Sequence, residues 1–529
     1  MHRNQSVMKH SFSQVPKAEI PRSSFDRSHG HKTTFDSGLL IPIFVDEALP
    51  GDTFKLSMTG FARLATPIYP LMDNMMMDTQ FFAVPYRLVW DNWQKFNGEQ
   101  VDPGDSTDFL VPQIDTTKVP ASAGYDIGSI YDYMGIPTGV PALKHSALWM
   151  RAYNLIYNTW YRDQNMQDSL PVPRNDGPDD PAIYELQRRG KRHDYFTSCL
   201  PWPQKGDAVT IPLGGFAPVV PTGTSIPTFQ DLGTGTDALG LYATSGNQVV
   251  DWAAGPTVTG TRTWGNTALQ ADLSAATAAT INSLRQAFAI QRIFERDARG
   301  GTRYTETIKA HFGVTSPDAR LQRPEFLGGG SSPINVAPIP QTSATGTYAA
   351  TPQGNLAAMG TALLRNHGFS MSFTEHCLIL GIVSVRADLT YQQGLNRMWS
   401  RRTRFDFYWP ALSHIGEQAV LNREIFADGT ANDDLVFGYQ ERYAEYRYKP
   451  SIITGLFRSS APQSLDAWHL SQDFATCPVL DKAFIEENPP IDRVIAVPAE
   501  PQFLFDAYFS MRCARPMPVY GVPGLIDHF

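Results

Sequence analysis

The segment "PQFLFDAYFSMRCARPMP" near the C-terminus places Phe503, Phe505, Ala507, Phe509 and Met511 at every second position. A period of two sends successive side chains to opposite faces of a strand, so one face meets a core and the other meets something polar. The same rhythm recurs near the start. Phe54, Leu56 and Met58 alternate with polar residues after a Pro50-Gly51-Asp52 turn. In "HGFSMSFTEHCLILGIVSVRADL", Phe369, Met371 and Phe373 alternate before a solid apolar run. "MMMDTQFFAVPYRLVWDNW" predicts a long, mostly apolar strand ending near Trp90, and "RTRFDFYWPAL" and "AEYRYKPSIITGLFRSS" also read as strands. Strands at both ends, with loops and helices between, point to a mainly β, antiparallel sandwich elaborated by inserted loops.

Helical periodicity is confined to the middle of the chain. In "ALKHSALWMRAYNLIYNTWYRDQN", Trp149, Tyr153, Ile156 and Trp160 share one face of a 3.6-residue period, and that stripe is read as core packing. "LSAATAATINSLRQAFAIQRIFERDARGG" predicts a second helix with Ile281, Leu284 and Phe288 on one face, stopped by Gly300-Gly301. A further helical turn, "TRYTETIKAHFG", closes at Gly313. "LGGGSSPINVAPIPQTSATGTYAATPQG" reads as a low-complexity connector. Residues 213–272 are rich in Gly, Thr, Ala and Pro, with Arg262 their only Lys or Arg. They predict a compact β-rich surface insertion, which loop-closure entropy tolerates cheaply.

Charge narrows the function classes. Only 18% of the 529 residues are charged, against roughly 25% in ordinary soluble domains, while 12% are aromatic. Such a surface suits burial against partners. The net charge of −8 conceals a basic start: within residues 1–35, Arg3, Lys9, Lys17, Arg22, Arg27 and Lys32 face only Glu19 and Asp26. That arm is either a solvated terminus or a tail that meets phosphate. Cys199, Cys377, Cys477 and Cys513 are widely spaced and form no CxxC, which fits free thiols in a reducing cytoplasm. No secretory h-region and no apolar run of membrane length is present, so the expectation is a soluble product with no membrane insertion.

Chemistry finds no constellation. Gly328-Gly329-Gly330 lacks the context of a phosphate loop, and neither GxSxG nor HExxH occurs. His311 reads as structural. Glu375, His376 and Cys377 are adjacent, so a strand would point the His and Cys apart. The carboxylate clusters Asp102–Asp108 and Arg174–Pro181 lack calcium-loop spacing and read as solvated turns. No cofactor is expected.

Four long blocks carry a resemblance. They are "LLIPIFVDEALPGDTFKLSMTGFARLATPIYPLMDNMMMDTQFFAVPYRLVWDNWQKFNGE", "GGTRYTETIKAHFGVTSPDARLQRPEFLGG", "EHCLILGIVSVRADLTYQQGLNRMWSRRTRFDFYWP" and "QERYAEYRYKPSIITGLFRSS". In this order they resemble the major capsid proteins of the Microviridae, small single-stranded DNA phages, in particular the Gokushovirinae type. The resemblance implies an eight-stranded antiparallel jelly-roll β-barrel with large loop insertions and a few helices. It implies self-assembly through pentamers into a T=1 shell around a circular single-stranded DNA genome. It also implies as partners a small basic DNA-binding protein, an internal scaffolding protein, a minor pilot protein and a host cell-surface receptor.

The expected organisation is a basic arm over 1–35, the first part of the jelly roll over 36–212, the insertion over 213–272, and the helical segment, connector and remaining barrel over 273–529. The insertion resembles a three-fold protrusion facing a receptor, with Trp252, Arg262 and Trp264 as its candidate residues, or else a three-fold staple. Arg303, Arg320 and Arg323 are candidate interface or framework residues. The alternative class is a carbohydrate-binding or carbohydrate-active β-sandwich, suggested by Trp202, Trp252 and Trp264 among Gly/Thr loops.

Overall fold

Alternating residues build one antiparallel sheet that curls round them. In the computed structural model the described residues are 21–115, 117–119, 124–207, 209, 219–221, 228–231, 239–243, 250–252, 262–264, 269–271, 281–300, 304–313, 322–343 and 353–520. The barrel strands are β1 (Ser23–Asp26), β2 (His29–Phe35), β3 (Ile41–Ala48), β4 (Thr53–Leu64), β5 (Met75–Pro85), β12 (Glu325–Pro340), β13 (Leu356–Ser372), β14 (Cys377–Ala387) and β17 (Phe503–Arg515). Their order is β1-β17-β4-β13-β12-β5-β14-β3, with β2 also laid against β17. This is the expected jelly roll. The two ends of the curl meet through side chains: His31 Nδ1 lies 2.8 Å from the Ile43 carbonyl, and the Arg27 guanidinium grips Asp46 at 2.7 and 2.9 Å. A carbonyl only accepts, so His31 carries its proton on Nδ1.

The barrel interior is filled by the alternating residues read from the sequence. Phe54, Met58, Phe81, Phe503 and Phe509 are fully buried in one cluster with Ile379, Val383 and Val385. Each such phenylalanine contributes about 1.5–3 kcal/mol by leaving water. β14 is buried on both faces. Its neighbours Leu378, Leu380 and Ile382 point outward into a second cluster with Trp90, Tyr153 and Tyr157, which explains its unbroken apolar run.

That second cluster belongs to a cover layer within the long excursion between β5 and β12. It is built from α1 (Trp93–Phe96), α2 (Ile130–Tyr133) and α3 (Leu148–Ile156). Tyr153 and Ile156 are buried as expected. α3 passes into a π turn over Tyr157–Tyr161 that carries Trp160 to the edge, where its Nε1 donates to the Pro324 carbonyl at 2.9 Å.

Asp179 corrects one expectation outright. It lies in the Arg174–Pro181 loop but is buried, clamped by Arg151 at 2.6 and 2.7 Å and accepting from the Tyr184 hydroxyl at 2.6 Å. Arg151 also donates to the Val89 and Asn175 carbonyls, pinning the loop to the end of the β5 excursion.

Four further readings are revised. The connector at 327–340 is strand β12, paired with β5 and β13. Its glycines are there because neighbouring groups press on the backbone. A Cβ on Gly329 would meet the Thr79 carbonyl oxygen at 2.0 Å, and one on Gly330 would meet the His367 ring at 2.4 Å. β5 ends at Pro85, since Tyr86–Leu88 is a 3-10 turn, so the strand stops short of Trp90. "RTRFDFYWPAL" and "AEYRYKPSIITGLFRSS" form 3-10 turns at Arg404–Asp406, Pro410–Leu412, Ala444–Tyr446 and Gly455–Phe457, not strands. The basic arm gives way to barrel strands from Ser23 onward.

The chain divides into two compact units, one of Met1–Pro203 with Thr315–Phe529 and one of Gln204–Val314. The second holds β6 (Val219–Pro221), β7 (Thr228–Asp231), β8 (Leu239–Ala243), β9 (Val250–Trp252), β10 (Arg262–Trp264) and β11 (Leu269–Ala271), followed by α4 (Ile281–Arg299) and α5 (Tyr304–Phe312). Within this unit His311 Nε2 meets Asp297 Oδ1 at 2.6 Å, tying α5 to α4.

The packing makes two outcomes measurable. Asp179→Ala leaves the Arg151 charge buried without its counter-ion and should cost about 3–5 kcal/mol in urea unfolding; a loss under 1 kcal/mol would contradict the clamp. His367, between Thr79 Oγ1 at 2.7 Å and Ser332 Oγ at 3.0 Å, has its pKa lowered from 6.5 by burial, against the opposing charge of Asp78. The unfolded chain therefore takes up a proton that the folded ring refuses. Stability should fall as pH drops from about 6.5 through the lower folded value, and His367→Gln should flatten that fall. Urea midpoints between about pH 5 and 7.5 measure it.

Candidate interface surfaces

A second excursion, between β14 and β17, supplies a surface that the described residues of the first unit leave exposed. Its frame includes β15 (Glu417–Leu421), α6 (Asn422–Ile425), β16 (Val436–Glu441) and α7 (Lys482–Ile485), packed on a third apolar cluster around Phe196, Val420, Ile425 and Phe437. Above that frame run the short turns of residues 397–412. Local capping explains them: Asn396 accepts from the Met398 amide at 3.0 Å, and Asp406 accepts from the Arg402 and Thr403 amides at 2.8 and 2.6 Å.

A buried ionic layer holds the turns from beneath. Arg397 bonds Glu424 at 3.0 Å and the Ala419 carbonyl at 2.8 Å, and Arg401 reaches Glu445 at 3.4 Å. Gln418 donates to Glu445 at 2.6 Å and Tyr195 to Glu424 at 3.1 Å. Burial raises the Glu424 pKa, with the Arg397 charge opposing it.

What this layer presents to solvent is aromatic. Trp399 is 71% exposed, Phe405 61%, Phe407 52% and Tyr408 50%. Arg401 stacks over Tyr446 at 4.2 Å and Arg404 over Trp409 at 4.4 Å. Leu435, Ile452 and Leu456 extend the same excursion's exposed apolar surface. Exposed aromatics and arginines on a rigid frame have the composition of the centre of a protein–protein interface. The sequence carries this signal in the dense Arg/aromatic run itself, but alternation alone reads as a strand.

No described group is armed for catalysis by a thiolate. Burial pushes Cys377 up to about 12 and Cys513 up to about 11, and raises Cys199 further still. Glu375 pairs with Arg87 at 2.8 Å, and His376 packs edge-on against Trp93. Among the described residues no His/Cys/Asp/Glu group forms a metal cluster, and no helix is long and apolar enough to cross a membrane.

The residues singled out in the sequence are scattered. Arg3, Lys9, Lys17, Arg303 and Arg320 lie outside the described residues. Arg22 donates to the Thr53 hydroxyl, Arg27 is held by Asp46, and Lys32 faces Asp506 across β2 and β17 at 3.4 Å. Arg323 sits 5.4 Å over the Trp160 ring, a contact within the chain. Trp252 ends β9, and Arg262 and Trp264 bound β10, which pairs with β7.

A family model described as "Capsid protein (F protein)" matches residues 13–525. The chain belongs to this phage capsid protein family. Similar relatives agree along the whole length of this capsid chain. The Capsid protein VP1 of Bdellovibrio phage phiMH2K is 51% identical over 532 residues, with 98% of each chain covered. Those of Chlamydia phage 1 and Spiroplasma virus 4 are 46% and 39% identical, covering 98% of this chain and 98% and 97% of their own. These are gokushovirus-type Microviridae capsid proteins, so the role is that of a structural component of the virion, without catalysis. The carbohydrate-active alternative is thereby set aside.

Proposed function

We propose that this capsid protein assembles through pentamers into a T=1 icosahedral shell enclosing a circular single-stranded DNA genome. The observation that carries the reading is coverage: relatives named Capsid protein VP1 match over 97–98% of their own length and 98% of this chain, so the likeness runs from end to end and is not confined to one segment. The shelf of Trp399, Phe405, Phe407 and Tyr408 supports it physically, as a rigid apolar face that a second copy would cover. Closed symmetry then holds each subunit by several neighbours at once.

In this reading the cations Arg3, Lys9 and Lys17 of the N-terminal arm lie inside and neutralise phosphate. The scaffolding, pilot and small basic DNA-binding proteins act as assembly partners. Residues 213–272 face outward at three-fold axes, where Trp252, Arg262 and Trp264 meet a host receptor.

Two experiments test it. Trp399→Glu combined with Phe407→Glu should leave the subunit folded, because both side chains are exposed, and should lower particle yield at least tenfold in sedimentation, because a buried unpaired charge costs several kcal/mol at every copy. Particles at wild-type yield would reject the shelf as an interface. Exchanging 213–272 for the corresponding segment of a relative should change host adsorption while assembly survives. Unchanged adsorption would reduce the insertion to a three-fold staple.

A further inference from the structure

The barrel sheet is dressed unequally. On the β5–β14–β3 side its outer face is buried under the α3 cover layer. On the β2–β17–β4–β13 side the described residues leave the outer face bare, and the residues on it are not those of an ordinary solvated sheet. Phe61, Leu363, Leu504 and Tyr508 are each about half exposed, at 49%, 48%, 53% and 55%. Cross-strand register assembles them. Lys32, Asp506, Phe61 and Leu363 form one row across four strands, and Thr34, Leu504, Arg63 and Thr361 form the next. Tyr508 stands opposite Thr59, which makes it the diagonal neighbour of Phe61 on the adjoining strand.

The charge on this face is opposite to that of the chain. Exposed Lys32, Lys55, Arg63, Arg365 and Arg512 stand against Asp26 and Asp506, a balance of +3 on a protein of net −8. Lys55, Arg63 and Arg365 make no ion pair among the described residues, in contrast to Arg397 and Arg401 under the aromatic shelf. Beside Phe61 an open groove of about 570 Å³ runs between the sheet and α2, lined by Phe61, Tyr133 and Leu504 with Lys32 and Arg63 set against Asp132 and Asp506. Tyr133 closes one side, its hydroxyl donating to the Thr34 carbonyl at 2.8 Å.

We infer that this bare face of the barrel is a binding platform for single-stranded DNA, with Phe61 and Tyr508 stacking on unpaired bases and Lys55, Arg63 and Arg365 meeting the phosphates. The assignment rests on the genome-enclosing reading above and supplies residues for it. Two aromatics on adjoining strands present flat faces to successive bases, which tolerates any sequence, and the surrounding cations track the backbone. A polyanion is the complementary occupant of the sheet face, and the groove beside Phe61, its two cations balanced by Asp132 and Asp506, gives one base a walled seat. A second copy of the chain, itself acidic, is the competing occupant, and the experiment separates the two.

The test uses the full-length chain and a fluorescein-labelled oligothymidylate, read by fluorescence anisotropy, alongside the DNA content and yield of assembled particles. Phe61→Ala and Tyr508→Ala should each weaken binding about tenfold with folding unchanged by circular dichroism. Lys55→Gln with Arg63→Gln should lower the slope of log affinity against log salt by roughly 0.7 for each phosphate no longer neutralised. If the wild type binds and these variants bind equally well, the platform is wrong while the genome reading stands. If the wild type has no affinity for the probe, both fall. Variants that bind DNA normally yet remain unassembled would place a second copy on this face and overturn the inference.

Discussion

A curled sheet has an inside and an outside, and this chain buries the whole inside but only half of the outside. Everything else follows from that constraint. The interior is closed by phenylalanines from β4, β5 and β17. The outer face of β5, β14 and β3 is closed by α3 and the loops around it, so β14 is buried on both faces and couples barrel and cover into one unit. The clamp of Arg151 on Asp179 matters for the same reason, since it fixes the cover in place. The described residues leave the other half of the outside open, with an excess of cations on it.

A shell protein is stable as a subunit and more stable as a lattice, so it must keep apolar surface in reserve without collapsing on it. Two devices serve here. The aromatic shelf of 399–409 is held out by capped turns and by a buried layer of arginines and glutamates, which prevents its rings from folding inward. The bare sheet face is rigid because strand pairing fixes it. Beneath the shelf Arg397 and Arg401 are paired with glutamates, whereas on the sheet face Lys55, Arg63 and Arg365 make no ion pair among the described residues. In the proposed reading, that difference in charge separates a surface for protein from a surface for nucleic acid.

How much of this is readable from the residues depends on whether a signal is local. β4 and β17 are readable because alternation is set by adjacent residues, and the full burial of β14 shows as an unbroken apolar run. β12 is hidden: its Gly-Gly-Gly-Ser-Ser-Pro composition is that of a linker, and only the approach of Thr79 and His367 from distant strands explains why glycine is needed there. Asp179 looks like a loop carboxylate because Arg151, 28 positions earlier, gives no local sign of reaching it. The shelf misleads differently. Its Arg/aromatic alternation is real, but it arises from turns that expose the rings, and a period of two does not tell a half-buried strand from an exposed series of turns. The family resemblance rests on long ordered blocks, which is why it holds where short segments mislead. The candidate site residues fare less evenly, since charge alone does not reveal that Arg27 is already engaged by Asp46.

Electron microscopy of the genome-filled particle, at a resolution that places side chains, tests the central claim most directly. The account predicts an icosahedral shell in which Trp399, Phe405 and Phe407 are covered by a neighbouring copy, while Phe61 and Tyr508 face inward against nucleic-acid density. A particle that leaves the aromatic shelf in open solvent, or a chain that never leaves the subunit state, would contradict it.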